Sequence, residues 1–342
     1  MPLHDPSEFH ARQRAREAAT LSPLACLTYP AERERPEPDA PNRTPLQRDR
    51  DRIVHSKAFR RLKQKTQVFV APEGDHFRTR LTHTLEVTGI ARTVARSLGL
   101  NEDLTEAIGV GHDLGHPPFG HIGEDVLDRW LKKRGGDGFR HWEHSVRIVE
   151  RLEHSGRGLN LCRSVVEGIA SHSGRSPRPR TLESAIVRVV DRIAYLTHDV
   201  DDAVRAGILD ERALPANVIA VLGAATGDRI DRLVEDLVAT SAAAGEIRQG
   251  EEAGAAMDEL RRFMFEHVYL GDTARAEHAR IEAVLIGLLD HYETNPDRLP
   301  APWACQPDLH TRIVDWVAGM TDGYAVRTFV GLTVPRAFDP TA

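Results

Sequence analysis

Six apolar residues recur at every third or fourth position between 181 and 206: Leu182, Ile186, Val189, Ile193, Leu196 and Val200. This is the period of one helix face. At 100° per residue Asp191 falls opposite that stripe, yet its neighbours Val187, Val190 and Ala194 are apolar as well. A helix apolar on most sides is normally buried. An acid inside it is costly unless it meets a cation or hydrogen-bond donors. Tyr195 and Asp199 continue from Asp191 at i+4 and i+8, a polar line about 12 Å long. The pattern predicts a buried helix whose polar line walls a cavity.

The same period runs through most of the chain. Val87, Ile90, Ala91, Val94 and Leu98 predict a helix over 80–98, with Gly99 at its C-cap. Asn101 predicts the cap of a second helix that stops at Gly115, ahead of Pro117-Pro118. Residues 123–133, 142–154, 160–172 and 181–206 read as further helices, and weaker periods run over 211–242, 256–269, 274–292 and 308–328. There is no sustained alternation and no Asn-Gly hairpin signal. The expected class is mainly α, with little or no strand. Five prolines in 29–45 predict a linker or surface arm, and 243–255 and 295–307 read as loops. The expected organisation is an arm over 1–45, a helical body over 46–330 with its core at about 76–206 and a C-terminal helical part at 207–330, and a tail over 331–342.

Composition removes several function classes. At 342 residues, with 41% hydrophobic and 28% charged residues, the chain can bury a large core without staples. Its three cysteines are odd in number, far apart and without CxxC spacing, so neither a disulfide framework nor a zinc ribbon is expected. A reducing cytoplasm is the expected location. The first residues hold no apolar run of a signal peptide, and no stretch approaches 18 apolar residues, so no membrane span is expected. The formal charge of −6 argues against bulk polyanion binding, but Arg43–Lys65 holds nine basic residues against two acidic ones. Arg60, Arg61, Lys63 and Lys65 read either as a solvated helix face or as a local site for phosphates. P-loop, HExxH and GxSxG motifs are absent.

Seven of the 17 histidines lie between 76 and 144, most densely in Gly111-His112-Asp113-Leu114-Gly115-His116-Pro117-Pro118-Phe119-Gly120-His121. Adjacent imidazole and carboxylate suit Mn, Fe, Zn or, less comfortably, Mg. His112 sits one turn beyond Ile108 and His83 one turn before Val87, both toward the apolar side. Two inward histidines and an inward Asp191 make a metal site of two nitrogens and two oxygens one reading. Ordinary core histidines are the other.

The set His83, His112-Asp113 and Asp191 resembles the H…HD…D signature of the HD-domain metal-dependent phosphohydrolases. DRDRIVHSKAFRRLKQKTQVF (49–69), FRTRLTHTLEVTGIAR (77–92), GHDLGHPPFGHIGE (111–124), DRIAYLTHDVDDAVRAGIL (191–209) and AGMTDGYAVR (318–327) are similar to the bacterial deoxyguanosinetriphosphate triphosphohydrolases, in order over most of 45–330. The resemblance implies an α-helical fold, one catalytic metal, and cleavage of a dNTP into deoxynucleoside and inorganic tripolyphosphate. It implies His83, His112, Asp113 and Asp191 as metal ligands, and His121 with Glu124 as the catalytic pair. His116, His141, Arg80 and Arg192 match phosphate contacts, and Tyr195 and Asp199 match residues at the sugar 3′ side. Gln67 matches a glutamine near the deoxyribose. A homo-oligomer is implied too, with a nucleotide activator and weak single-stranded nucleic-acid binding as further expected partners. The stretch Phe139–His144 departs from the family pattern at Trp142 and His144. The rival readings are an HD phosphodiesterase on another nucleotide and a nucleic-acid-binding regulator with a vestigial site.

Overall fold

A computed structural model describes residues 5–67, 77–269, 272–300 and 308–335. Its helices are α1 (Phe9–Thr20), α2 (Pro45–Val54), α3 (Lys57–Arg61), α4 (Arg80–Ser97), α5 (Glu102–Gly111), α6 (Gly120–Lys132), α7 (His141–Arg147), α8 (Glu153–Gly156), α9 (Arg163–Ala170), α10 (Leu182–Arg205), α11 (Ala216–Leu222), α12 (Thr226–Ala244), α13 (Glu251–Met264), α14 (Asp272–Thr294), α15 (Leu309–Ala318) and α16 (Asp322–Thr333). Among the described residues there are only two isolated β-bridges, Arg33 with Cys162 and Thr66 with Thr79. The chain is mainly α, as its periodicity predicts. None of these helices is long and apolar enough to cross a membrane.

Local chemistry explains the boundaries. Thr79 caps α4 by accepting from the Thr82 N–H, Asn101 caps α5 through Leu104, and Thr181 caps α10 through Ser184. Gly99 takes the left-handed backbone that ends α4 (φ +65). Several stretches differ from the sequence pattern, among them 211–242, which is broken after Leu222. Residues 9–20 form a helix that buries no side chain, so it carries no apolar stripe to read. The expected loop at 243–255 is helical from Glu251. The period over 308–328 is broken after Ala318, because Thr321 caps a new helix by accepting from Tyr324.

The proline-bearing arm is pinned rather than free. Arg33 pairs with the buried Asp49 of α2, and its guanidinium also donates to the carbonyls of Pro45 and Asn160.

Packing does not follow chain order. One apolar cluster joins α2, α4, α5, α9 and α10 to α11–α13, with Leu104, Ile108, Val187 and Val190 fully buried in it. A second joins α6 to α14, α15 and α16 around Trp130, Leu285, Leu289 and Ile313. α4 packs on both α5 and α10. This brings the faces carrying His83, His112 and Asp191 to one place.

Candidate metal centre and active site

His83 projects from α4 one turn before the buried Val87, His112 follows the last turn of α5, and Asp191 lies mid-way along α10. Nε2 of His83 lies 3.1 Å from Oδ1 of Asp191, and Nε2 of His112 lies 3.7 Å from that oxygen and 3.6 Å from Oδ1 of Asp113. Ligand atoms about 2.1 Å from one ion sit roughly 3.0–3.5 Å from each other, close to this spacing. Nδ1 of His112 donates to the Gly109 carbonyl, which leaves Nε2 as the lone-pair nitrogen, buried without a hydrogen-bond partner. An orphaned imidazole nitrogen facing two carboxylates is what a bound cation would satisfy. His83, His112 and Asp113 offer ligand atoms within 4.8 Å of one another and fit a divalent metal, with Asp191 set against both imidazoles as the fourth donor.

Charge in the cluster follows from its neighbours. Burial opposes ionisation of Asp113, but His116, Arg80 and His112 outweigh it and hold the carboxyl well below the ordinary range. Burial also opposes the charge on Asp191, yet the His83 hydrogen bond and the nearby imidazoles lower its pKa to about 2. Asp191 is less enclosed than its apolar neighbours predict, with its side chain 23% exposed.

Around this centre Arg80, itself buried, donates to Oδ2 of Asp113 at 2.7 Å. Nε2 of His116 lies 3.2 Å from Asp113. Burial, then the charges of Arg80 and His141, push His116 well below the usual histidine range. The rings of His116 and His141 stack at 3.9 Å. His141 carries Glu124 at Nδ1 (2.9 Å) and Nε2 of His172 at its own Nε2 (3.2 Å). Nδ1 of His172 donates to the Ile169 carbonyl, so its Nε2 is an acceptor. His141 thus bridges a carboxylate at one ring nitrogen and the His172 imidazole at the other. Glu124 also lies 3.4 Å from Nδ1 of His121, the exposed member of the group at 78%.

Two of the expected phosphate and sugar residues meet other partners in the fold. Arg192 turns from Asp191 toward Asp258 of α13, so it is not gathered with Arg80 and His141. Asp199 accepts from the hydroxyl of Tyr269, and burial pushes its carboxyl up to about 7. Tyr195 lies half-buried between these two, beside Arg261. Gln67 is half-buried with an unpaired Oε1, and its main-chain carbonyl lies 3.5 Å from the position of a Cβ on Gly120.

Two residues outside the expected set join these groups, His172 at His141 and Tyr269 at Asp199. His172 reaches the cluster because α9 packs against both α5 and α7. The one local signal was the apolar Val165 and Ile169 preceding it at helical spacing. For Tyr269 no local signal exists, since its partner is 70 residues away.

Residues 80–196 match the HD domain family, and residues 247–330 match the phosphohydrolase-associated domain. The chain is 48% identical to a deoxyguanosinetriphosphate triphosphohydrolase-like protein of Caldanaerobacter subterraneus over 92% of its own length and 93% of the relative's. Proteins of the same description from Clostridium perfringens and Clostridium tetani are 46% and 43% identical. They span 89% and 86% of this chain and 91% and 87% of theirs. The chain belongs to the deoxyguanosinetriphosphate triphosphohydrolase-like family of HD-domain phosphohydrolases.

Proposed function

We propose that the protein hydrolyses a deoxynucleoside triphosphate to the deoxynucleoside and inorganic tripolyphosphate. The observation that carries this reading is the adjoining of two groups. Four metal-ligand donors, on His83, His112, Asp113 and Asp191, border a set of proton-bearing and cationic side chains, on Arg80, His116, His141 and His121 with Glu124.

One divalent ion, manganese, magnesium, iron or zinc, would be held by His83, His112, Asp113 and Asp191. When bound, it supplies a Lewis acid for the phosphoryl oxygens and favours ionisation of water. The reaction breaks the bond between the α-phosphorus and the 5′-oxygen. A water oxygen takes the phosphorus, and the 5′-oxygen leaves with a proton. Arg80 offers positive charge and His141 a hydrogen-bond donor to the phosphates, and such stabilisation is the larger part of most phosphoryl-transfer catalysis. His116, 3.2 Å from Asp113 and stacked on His141, adds a further imidazole beside the phosphates. His121 carries the proton for the 5′-oxygen, and Glu124 orients both His121 and His141. Tyr195, Asp199 and Gln67 face the sugar and base. Arg192 reaches a phosphate only by leaving Asp258.

The test is incubation with each dNTP and each of these metals, separating nucleoside, monophosphate and tripolyphosphate. Tripolyphosphate with nucleoside is expected, with the matching ribonucleotide at least tenfold slower, about 1.4 kcal/mol. Monophosphate as the product would make the protein a different HD phosphohydrolase. Salt-steep single-strand binding without turnover would make it a regulator.

A further inference from the structure

The segment Ala318-Gly319-Met320-Thr321-Asp322, between α15 and α16, takes no part in the proposed chemistry. Its acceptors nevertheless point at the segments that carry the site. Asp322 is buried, and its carboxylate receives one backbone N–H on each oxygen: Phe119 at 3.0 Å on Oδ1 and Thr66 at 2.9 Å on Oδ2. Beside it the buried ammonium of Lys65 donates to the carbonyls of Ala318 and His116, and Arg61 donates to that of Gly319. We infer that Asp322 is a positioning residue for the proposed reaction, joining the start of α6, and hence His121, to the segment that carries Gln67.

Phe119 is the N-cap of α6, makes no side-chain cap hydrogen bond, and holds a left-handed backbone (φ +63). A non-glycine residue stays in that region only where its surroundings over-determine it. Here the surroundings are the Asp322 carboxylate on its N–H and the second apolar cluster around its ring. Gly120 is left-handed too (φ +58), and a Cβ there would lie 3.0 Å from Arg80 Nη2. The turn therefore sits directly against the proposed phosphate side, and a shift at Phe119 moves His121 two residues on. The other oxygen of Asp322 fixes Thr66, which pairs with Thr79 next to Arg80. A carboxylate offers an acceptor to each amide. The isosteric carboxamide offers one acceptor and turns an NH2 against the other N–H.

The inference rests on the proposed function, and the experiment separates the two. Asp322→Asn is compared with the full-length wild type by hydrogen exchange and by steady-state kinetics with metal analysis. Peptides covering 62–67 and 114–121 should exchange at least tenfold faster, while those of α4 and α10 keep their protection. kcat should fall at least tenfold, with KM within threefold of wild type and metal content unchanged. Lys65→Met, which removes the neighbouring tie between His116 and Ala318, is the second variant and should loosen the same peptides. Unchanged exchange in those peptides overturns the inference. So does a uniform rise across the chain, which marks a merely structural acid, or local loosening with normal kcat. A wild type that hydrolyses no dNTP overturns the proposed function instead, and the exchange pattern alone then decides the tie.

Discussion

Glu124 holds His141 at two points: its carboxylate accepts the backbone N–H of His141 at 3.0 Å and faces the ring Nδ1 at 2.9 Å. The expected partner, His121, is the looser one at 3.4 Å. One carboxylate thus orients two histidines whose ring centres lie 6.2 Å apart.

Glu124→Ala should therefore cost at least as much activity as His121→Ala, since it releases both rings. Both variants should lose about 10²–10⁴-fold in kcat, the usual range for acid–base groups, and keep their metal. Steady-state rates and elemental analysis on the same preparations check this. Loss of metal from His121→Ala would make that residue a ligand. A Glu124→Ala rate near wild type would leave its grip on His141 without catalytic meaning.

Asp191→Ala should remove most bound metal and all turnover. Its Oδ1 lies 3.1–3.7 Å from both ligand imidazoles. Elemental analysis after dialysis is the measurement, and full occupancy in this variant would sink the ligand assignment.

Asp199 gives a pH signature. Its carboxyl titrates near 3.8 in an unfolded chain and, chiefly through burial, near about 7 in the folded one. Between these values the folded state holds a proton that the unfolded state has released. The group's contribution to stability is therefore complete below about 3.8 and declines as pH rises toward 7. Asp199→Asn should flatten that decline, raising Tm relative to wild type more at pH 8 than at pH 4.5. Thermal melts across this range decide it, and parallel profiles would count against a proton on Asp199.

Gly115 is required by close approach. A Cβ there would lie 2.2 Å from both the His141 carbonyl oxygen and the Ser145 nitrogen. Both are backbone atoms of α7 and cannot rotate away. Gly115→Ala should push α7, and His141 with it, out of the site, costing about 1–3 kcal/mol or more together with most activity. Gly89, exposed mid-way along α4, meets nothing within 4 Å, so Gly89→Ala should add up to about 1 kcal/mol and leave the rate unchanged. Denaturant melts and rates on the two variants provide the comparison.

Side chains whose signal is local were legible in the sequence. His83, His112 and Asp191 sit at helical spacing from apolar neighbours, so their inward faces follow from the 3.6-residue period, and the structure gathers all three beside Asp113. The helical class, the Gly99 stop and the Asn101 cap have the same origin, because caps and periods act within a few residues.

Tertiary structure alone decided which partners those side chains meet. Arg192 follows Asp191 in sequence, yet an acid on α13 draws it away from the phosphate side. His172 joins His141 because α9 packs on α5 and α7, and Tyr269 reaches Asp199 across 70 residues. Asp322 reads locally as an acid in the first turn of α16, but its partners are amides 203 and 256 residues earlier. The period of a helix fixes the direction in which a side chain leaves its own axis. The element it meets there is set by how the helices pack, which carries no signature in the few residues around it.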